Sequence, residues 1–161
     1  MSARPPVRGR GVADSPTGRF ERLVVVYEDP GGEGNRTTEF LRDRSRRVLA
    51  HNESPDVPFE YSLNPYRGCE HGCSYCYARP THEFLGFSAG LDFETKILVK
   101  EDAPGLLRAE LSSPSWRPQI IAFSGVTDPY QPVERRIRLT RRCLEVLLEF
   151  RNPVGIITKN H

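Results

Sequence analysis

The sequence predicts an α/β fold in which helices pack on a largely parallel sheet, and three observations carry that reading. Short apolar runs alternate with stretches of helical spacing. The boundaries between them carry Pro, Gly, Asp and Ser, the residues that cap and break elements. Hydrophobic residues make up 37% of the 161 positions and charged ones 27%, polar for a globular chain but well stocked enough to bury one core. The length suits a single domain.

Taken in order, residues 1 to about 20 are rich in Arg, Pro, Gly and Ser and show neither period, which reads as a flexible extension rather than a basic arm. Arg22–Tyr27 has the look of a short strand, stopped by Asp29-Pro-Gly-Gly32. Gly32-Glu-Gly34 lacks the third glycine of a dinucleotide loop and is discounted. Arg42, Arg44, Arg46 and Arg47, interleaved with Glu39 and Asp43, read as a solvated face. Residues 1–55 are therefore expected to form an extension and residues 56–161 the core domain.

From Phe59 the pattern sharpens. Phe59–Leu63 alternates like a strand, and Thr95–Val99 reads as another. A helix over Leu106, Leu107 and Leu111 follows, with Asp102 as its expected cap and Pro104 in its first turn. Gln119–Phe123 is a compact apolar strand ending in the loop Ser124–Tyr130. Val133, Ile137, Thr140, Leu144, Leu147 and Leu148 then fall at helical spacing, and Pro153 leads into the strand Val154–Thr158. This βα alternation argues for a parallel sheet. A complete (β/α) barrel runs to about 250 residues, so the expectation is the front portion of a longer barrel.

Charge and hydropathy exclude several classes. With 23 basic against 21 acidic residues the formal charge is +2, no global field for nucleic acid, although Arg135, Arg136, Arg138, Arg141 and Arg142 form one basic stretch. The longest apolar runs fall far below the roughly 18 residues of a membrane span, and the first residues lack the apolar stretch of a signal peptide. A cytoplasmic protein with no membrane partner is expected.

Four cysteines, at 69, 73, 76 and 143, say more. Three crowd into Cys69-Glu-His-Gly-Cys73-Ser-Tyr-Cys76, a C-x3-C-x2-C stretch able to aim three sulfurs at one object, whereas disulfide frameworks spread their cysteines. Thiolates are soft ligands for Zn, Cu(I) or iron–sulfur clusters. A four-cysteine [4Fe–4S] carrier would need Cys143, which sits on the apolar helix and reads as a small buried hydrophobe. A Cys3His zinc module would draw on His71 or His82, whose alternative role is hydrogen bonding around the loop. Arg67 and Arg79 either offset cluster charge or pair with Glu70 or Glu83.

The spacing, with Tyr75 just before the third cysteine, closely resembles the radical S-adenosylmethionine superfamily. Asn64-Pro-Tyr-Arg-Gly-Cys-Glu-His-Gly-Cys73, Tyr75-Cys-Tyr-Ala-Arg-Pro-Thr-His82, Leu91-Asp-Phe-Glu-Thr-Lys96 and Thr127-Asp-Pro-Tyr-Gln-Pro132 narrow the likeness to a bacterial family distantly related to spore photoproduct lyase. The likeness runs from about residue 50 onward. It implies the N-terminal part of a partial (β/α)6 TIM-like barrel and a [4Fe–4S] cluster on Cys69, Cys73 and Cys76. S-adenosylmethionine would occupy the remaining iron and be cleaved reductively to a 5′-deoxyadenosyl radical that abstracts hydrogen. A lyase or oxidoreductase-type enzyme is implied, with a flavodoxin or ferredoxin as reductant. The substrate stays open, a nucleic-acid lesion among the candidates. A front portion alone is expected to be catalytically weak.

By position, Tyr75 resembles the superfamily aromatic beside the adenine, with core packing as the other reading. Ser124, Gly125, Thr127 and Asp128 resemble the loop that receives the methionine amino group, though they depart from the usual Gly-Gly-Glu form. Asp128 has a helix cap as its alternative. Lys159 would pair with the methionine carboxylate or lie on the surface.

Overall fold

The computed structural model describes residues 10–12 and 37–160, a mixed α/β arrangement of two small sheets with helices against them. The strand expected at Arg22–Tyr27 lies outside the described residues, as does most of the Arg- and Pro-rich start. Among the described residues no helix is long and apolar enough to cross a membrane.

The larger sheet has the order β2-β3-β6-β7, from Leu49–His51, Tyr61–Leu63, Ile121–Phe123 and Val154–Ile156. Strands β3, β6 and β7 are parallel, with Leu63 beside Phe123 and Phe123 beside Ile156, while β2 runs antiparallel to β3. Parallel neighbours need helical crossovers. The first holds α2 (Ala103–Leu111) and the second α3 (Glu134–Ile137) and α4 (Leu139–Glu149). Leu63, Ile121 and Phe123 from the sheet are fully buried with Leu107, Leu139 and Leu147 from the helices in one apolar cluster. Each such side chain contributes roughly 1.5–3 kcal/mol by leaving water.

The single helix expected over Val133–Leu148 is instead two. Arg138 adopts a left-handed φ of 55° between them. The break is stabilised by Glu134, whose carboxylate accepts the N–H groups of Thr140 (3.0 Å) and Arg141 (3.1 Å) at the start of α4 and the hydroxyl of buried Tyr66. An acidic group there satisfies orphan amides at the positive end of the helix. Asp102, expected to cap α2, makes no side-chain cap bond, and its carboxylate reaches Arg42 at 3.1 Å instead.

The smaller sheet has the order β1-β5-β4, from Glu39–Arg42, Lys96–Val99 and Tyr66–Arg67. The strand expected near Thr95–Val99 is present, but its hydrogen-bonded neighbours are β1, parallel, and β4, antiparallel. Thus β1 and β2, inside the stretch 1–55, hydrogen-bond to strands of the core. The charged run at 42–47 is not solvated throughout. Asp43 is buried, and burial alone would raise its pKa. Hydrogen bonds from Ser45, helped by Lys100 and Arg67, reverse that and hold the carboxyl below its ordinary range.

Candidate functional site

The three parallel strands end at one edge of the sheet, the place where open α/β sheets build binding sites. The loops leaving them are joined by side chains. Asn64, after β3, accepts the Val126 N–H at 3.1 Å. Asp128, after β6, accepts the Thr158 hydroxyl at 2.7 Å and the Lys159 N–H at 2.6 Å, both after β7. Thr127 donates its hydroxyl at 2.7 Å to the carbonyl of Gly68, where the cysteine loop begins.

That loop runs from β4 to a 3-10 helix at Arg79–Leu85. Gly68 and Gly72 have φ of 82° and 61°, and a Cβ would press Gly68 to 2.9 Å from the Phe93 carbonyl and Gly72 to 2.8 Å from Glu94. Only glycine fits both demands. The four thiols are free. Cys69 is buried beside Ala78 and Phe93, with Cys76 and Val126 packed on the same cluster, and its N–H is fixed by the Phe93 carbonyl at 2.9 Å. Burial pushes the Cys69 thiol up to about 11, against the pull of the His71 and Asp128 backbone N–H groups. A metal binding such a sulfur must displace its proton, so loading this site releases protons. Cys73 and Cys76 are half-buried. Among the described residues no three His, Cys, Asp or Glu side chains converge on a point that one metal ion could occupy.

What shapes the loop is a buried guanidinium that the sequence reading paired elsewhere. Arg79 donates to the carbonyls of Cys73 (2.9 Å), Gly72 (2.8 Å), Ala89 (3.2 Å) and Gly90 (3.0 Å) and to Glu94 Oε1 (2.6 Å). This uses every N–H of the fork. Glu94, on α1 (Leu91–Thr95), is fully buried, and its other oxygen accepts the N–H groups of Arg10 (2.6 Å) and Gly11 (3.2 Å). Neither Glu70 nor Glu83 is the ion-pair partner. Glu70 Oε2 accepts the Val133 N–H at 2.8 Å, and Arg67 pairs with Asp43 at 3.1 Å. Fully buried Gln131 completes the frame. It donates to Thr127 Oγ1 (3.0 Å) and the Gly68 carbonyl (3.4 Å) and accepts the Glu70 N–H (3.0 Å). Both Glu94 and Gln131 lie in motifs legible in the sequence, Leu91–Lys96 and Thr127–Pro132, but nothing local assigned them a role.

The remaining expected residues fall as follows. Tyr75 is 74% exposed, which removes the core-packing reading, and the Lys159 ammonium lies 5.5 Å from its ring centroid. Ser124 and Gly125 have φ of 147° and 144°, a region nearly closed to residues with a Cβ, and Ser124 is held there by its hydroxyl on the Thr127 carbonyl at 3.0 Å. Strain of this kind costs about 1–3 kcal/mol and gathers at functional loops. Asp128 does not cap α3. Its Oδ1 accepts the Tyr130 N–H (2.8 Å) and the Thr158 hydroxyl and its Oδ2 the Lys159 N–H, with His71 Nε2 3.8 Å away. His82 is fully buried between Phe87 and Phe93, its Nε2 donating to the Lys96 carbonyl at 3.0 Å, and burial pulls its pKa down to about 4. Cys143 is fully buried in the apolar core, with burial pushing its thiol up to about 12.

No family model matches the chain, and no solved structure matches it. Uncharacterised proteins of Mycobacterium bovis and Mycobacterium tuberculosis are each 47% identical over 103 residues, 64% of this chain and 30% of theirs. An uncharacterised protein of Methanocaldococcus jannaschii is 27% identical over 126 residues, 78% of this chain and 44% of its own. The chain spans less than half the length of these curated relatives.

Proposed function

We propose that the chain is part of a radical S-adenosylmethionine enzyme of the kind its motifs resemble, with a [4Fe–4S] cluster on Cys69, Cys73 and Cys76. The single observation that carries this reading is a loop with three free thiols and no fourth, clamped at the carboxyl edge of a parallel sheet. Cys143, the remaining cysteine, belongs to the separate core packed between sheet and helices. The donor chemistry fits: three soft sulfurs suit an iron–sulfur cluster, and a missing fourth ligand suits a cosubstrate. His82 donates through Nε2 to the Lys96 carbonyl and its Nδ1 has no hydrogen-bond partner among the described residues, so zinc uptake is the alternative that reconstitution must distinguish.

When bound, the cluster and S-adenosylmethionine supply one-electron cleavage of the sulfonium and hydrogen abstraction from a substrate. The chain's own residues do the positioning. Arg79 holds the carbonyls of Gly72 and Cys73 and is itself fixed by Glu94, which sets the backbone of the loop between the first and third cysteines. Thr127 and Gln131 tie the loop to the end of β6, and Asp128 ties β6 to β7. Asp128 therefore acts by holding the backbone, since both its oxygens are taken. The backbone of Ser124 and Gly125 supplies polar groups for the methionine end of the cosubstrate, and Tyr75 and Lys159 form a movable pair beside it. The rest of the barrel, the reductant and the substrate belong to the whole protein.

Anaerobic reconstitution with iron and sulfide tests this. The expected product is a brown protein with equal iron and acid-labile sulfide, lost on replacing any of Cys69, Cys73 or Cys76 by Ser and retained in Cys143→Ala. Zinc uptake with no sulfide, or loss of the chromophore in Cys143→Ala, would overturn the reading.

A further inference from the structure

Between the segment Ser45–Asn52 and the stretch that follows Cys76 lies a cavity of about 710 Å³, the size range of sites for small organic ligands. Its lining carries Arg46, Arg47, Arg67 and Lys100 and not one Asp or Glu, in a chain whose acids and bases nearly balance. Two carboxylates lie behind it: Asp43 serves Arg67 at 3.1 Å and Lys100 at 3.9 Å, and Glu110 accepts the Val48 N–H at 2.7 Å. Arg46 and Arg47 are exposed, and among the described residues neither guanidinium has a carboxylate partner. Among the described residues the wall thus holds an excess of positive charge, four cations against the two carboxylates behind it, with two forked donors on residues adjacent in sequence.

Two aromatic side chains, Tyr77 and Phe84, also line the cavity. Tyr77 is 78% and Phe84 73% exposed, an unusual exposure for large rings. Gly125 and Val126 of the loop after β6 also line the cavity, and Val126 packs against the cluster of Cys69, Ala78 and Phe93 that lies behind it.

We propose that this cavity is the substrate pocket of the enzyme reading above, on which the proposal rests, and that it takes a phosphate ester carried on a flat ring. Adjacent guanidinium forks match phosphate oxygens, and the excess charge suits a dianion better than a single carboxylate. The exposed face of Tyr77 suits a ring. A free phosphorylated metabolite and a nucleotide within a strand share this chemistry.

The test is calorimetric titration of the full chain with phenyl phosphate, phenol and inorganic phosphate, before and after iron–sulfur reconstitution. Phenyl phosphate is expected to bind more tightly than either part. The double variant Arg46→Ala/Arg47→Ala is expected to weaken it about tenfold or more while its thermal unfolding is unchanged, both side chains being exposed. The Lys/Lys variant at the same positions should recover part of the loss. Tyr77→Ala should weaken phenyl phosphate several-fold and leave inorganic phosphate unchanged. A single-stranded oligonucleotide binding more tightly than its mononucleotide would place the phosphate in a strand, and equal binding would place it on a free metabolite.

Phenol binding as well as phenyl phosphate, or a double variant indistinguishable from the parent, overturns the pocket. Cys76→Ser should abolish iron uptake and leave probe binding intact. Probe binding by a parent chain that takes up no iron and sulfide therefore refutes the cluster alone, whereas a parent chain with a loaded cluster and no probe binding refutes the pocket alone.

Discussion

Two regions of this molecule are held together by different physics. The interior between the larger sheet and its helices is a continuous apolar cluster, where Leu63, Leu107, Phe123 and Leu147 share the load through area removed from water. The cysteine loop has almost no such cluster, only Cys69, Ala78 and Phe93 with two partly buried neighbours. It is shaped by directed bonds converging on Arg79, Glu94, Thr127 and Gln131. A shared apolar load degrades gradually, whereas a directed frame fails when one member is lost. The comparison teaches that the site can be uncoupled from the fold.

The largest effect is expected at the buried ion pair. Arg79→Met leaves buried Glu94 without its ion-pair partner and should cost about 3–5 kcal/mol in chemical unfolding. The double variant Arg79→Met/Glu94→Gln should regain much of that stability yet not the iron uptake, since the carbonyls of Gly72 and Cys73 remain without their donor. Recovery of iron uptake along with stability would show that the frame matters only for folding.

Leu107→Ala sharpens the contrast from the other side. A fully buried leucine in the apolar cluster should cost about 2–5 kcal/mol, but iron bound per folded molecule should be unchanged. Unequal iron content at equal folded concentration would mean that the two regions are not separable.

His82 makes the loop's surroundings sensitive to acid. Its folded pKa is about 4 against an ordinary 6.5, so the unfolded chain takes up the proton first. Stability is therefore complete above pH 6.5 and falls as pH drops towards 4, by about 3 kcal/mol in all. Denaturant melts across that range should show the decline, and His82→Gln should flatten it. A parent curve that is level from pH 6.5 to 4 would contradict the assignment. The smallest change belongs to Gln131→Leu, which deletes the bonds to Thr127, Gly68 and Glu70. It should cost about 1–3 kcal/mol and weaken iron retention during dialysis more than Leu107→Ala does.

The same contrast governs what could be read from sequence. Strands at Tyr61–Leu63, Lys96–Val99, Ile121–Phe123 and Val154–Ile156 and the helix at Ala103–Leu111 declare themselves by local period and punctuation. Strands β1 and β2 are no shorter, but they flank a run of charged residues that masks any alternation, and they pair with β5 and β3 from a distance in the chain. The break at Arg138 was illegible because Glu134, read as part of a continuous helix, turns its carboxylate to the amides beyond it. In the site, cysteine spacing was visible as a pattern of identities. The choice of Glu94 over Glu70 or Glu83 as the partner of Arg79 was not, since charge alone does not rank carboxylates and the fold does.

The central claim is that the loop of Cys69, Cys73 and Cys76 binds a four-iron cluster with one iron left for an exchangeable guest. Mössbauer spectroscopy of the anaerobically reconstituted chain enriched in 57Fe, with and without S-adenosylmethionine, addresses it most directly. The account predicts that adding S-adenosylmethionine shifts the signal of one iron in four and leaves the other three in place. A spectrum with no cluster, or a cluster whose irons are all indifferent to S-adenosylmethionine, would contradict it.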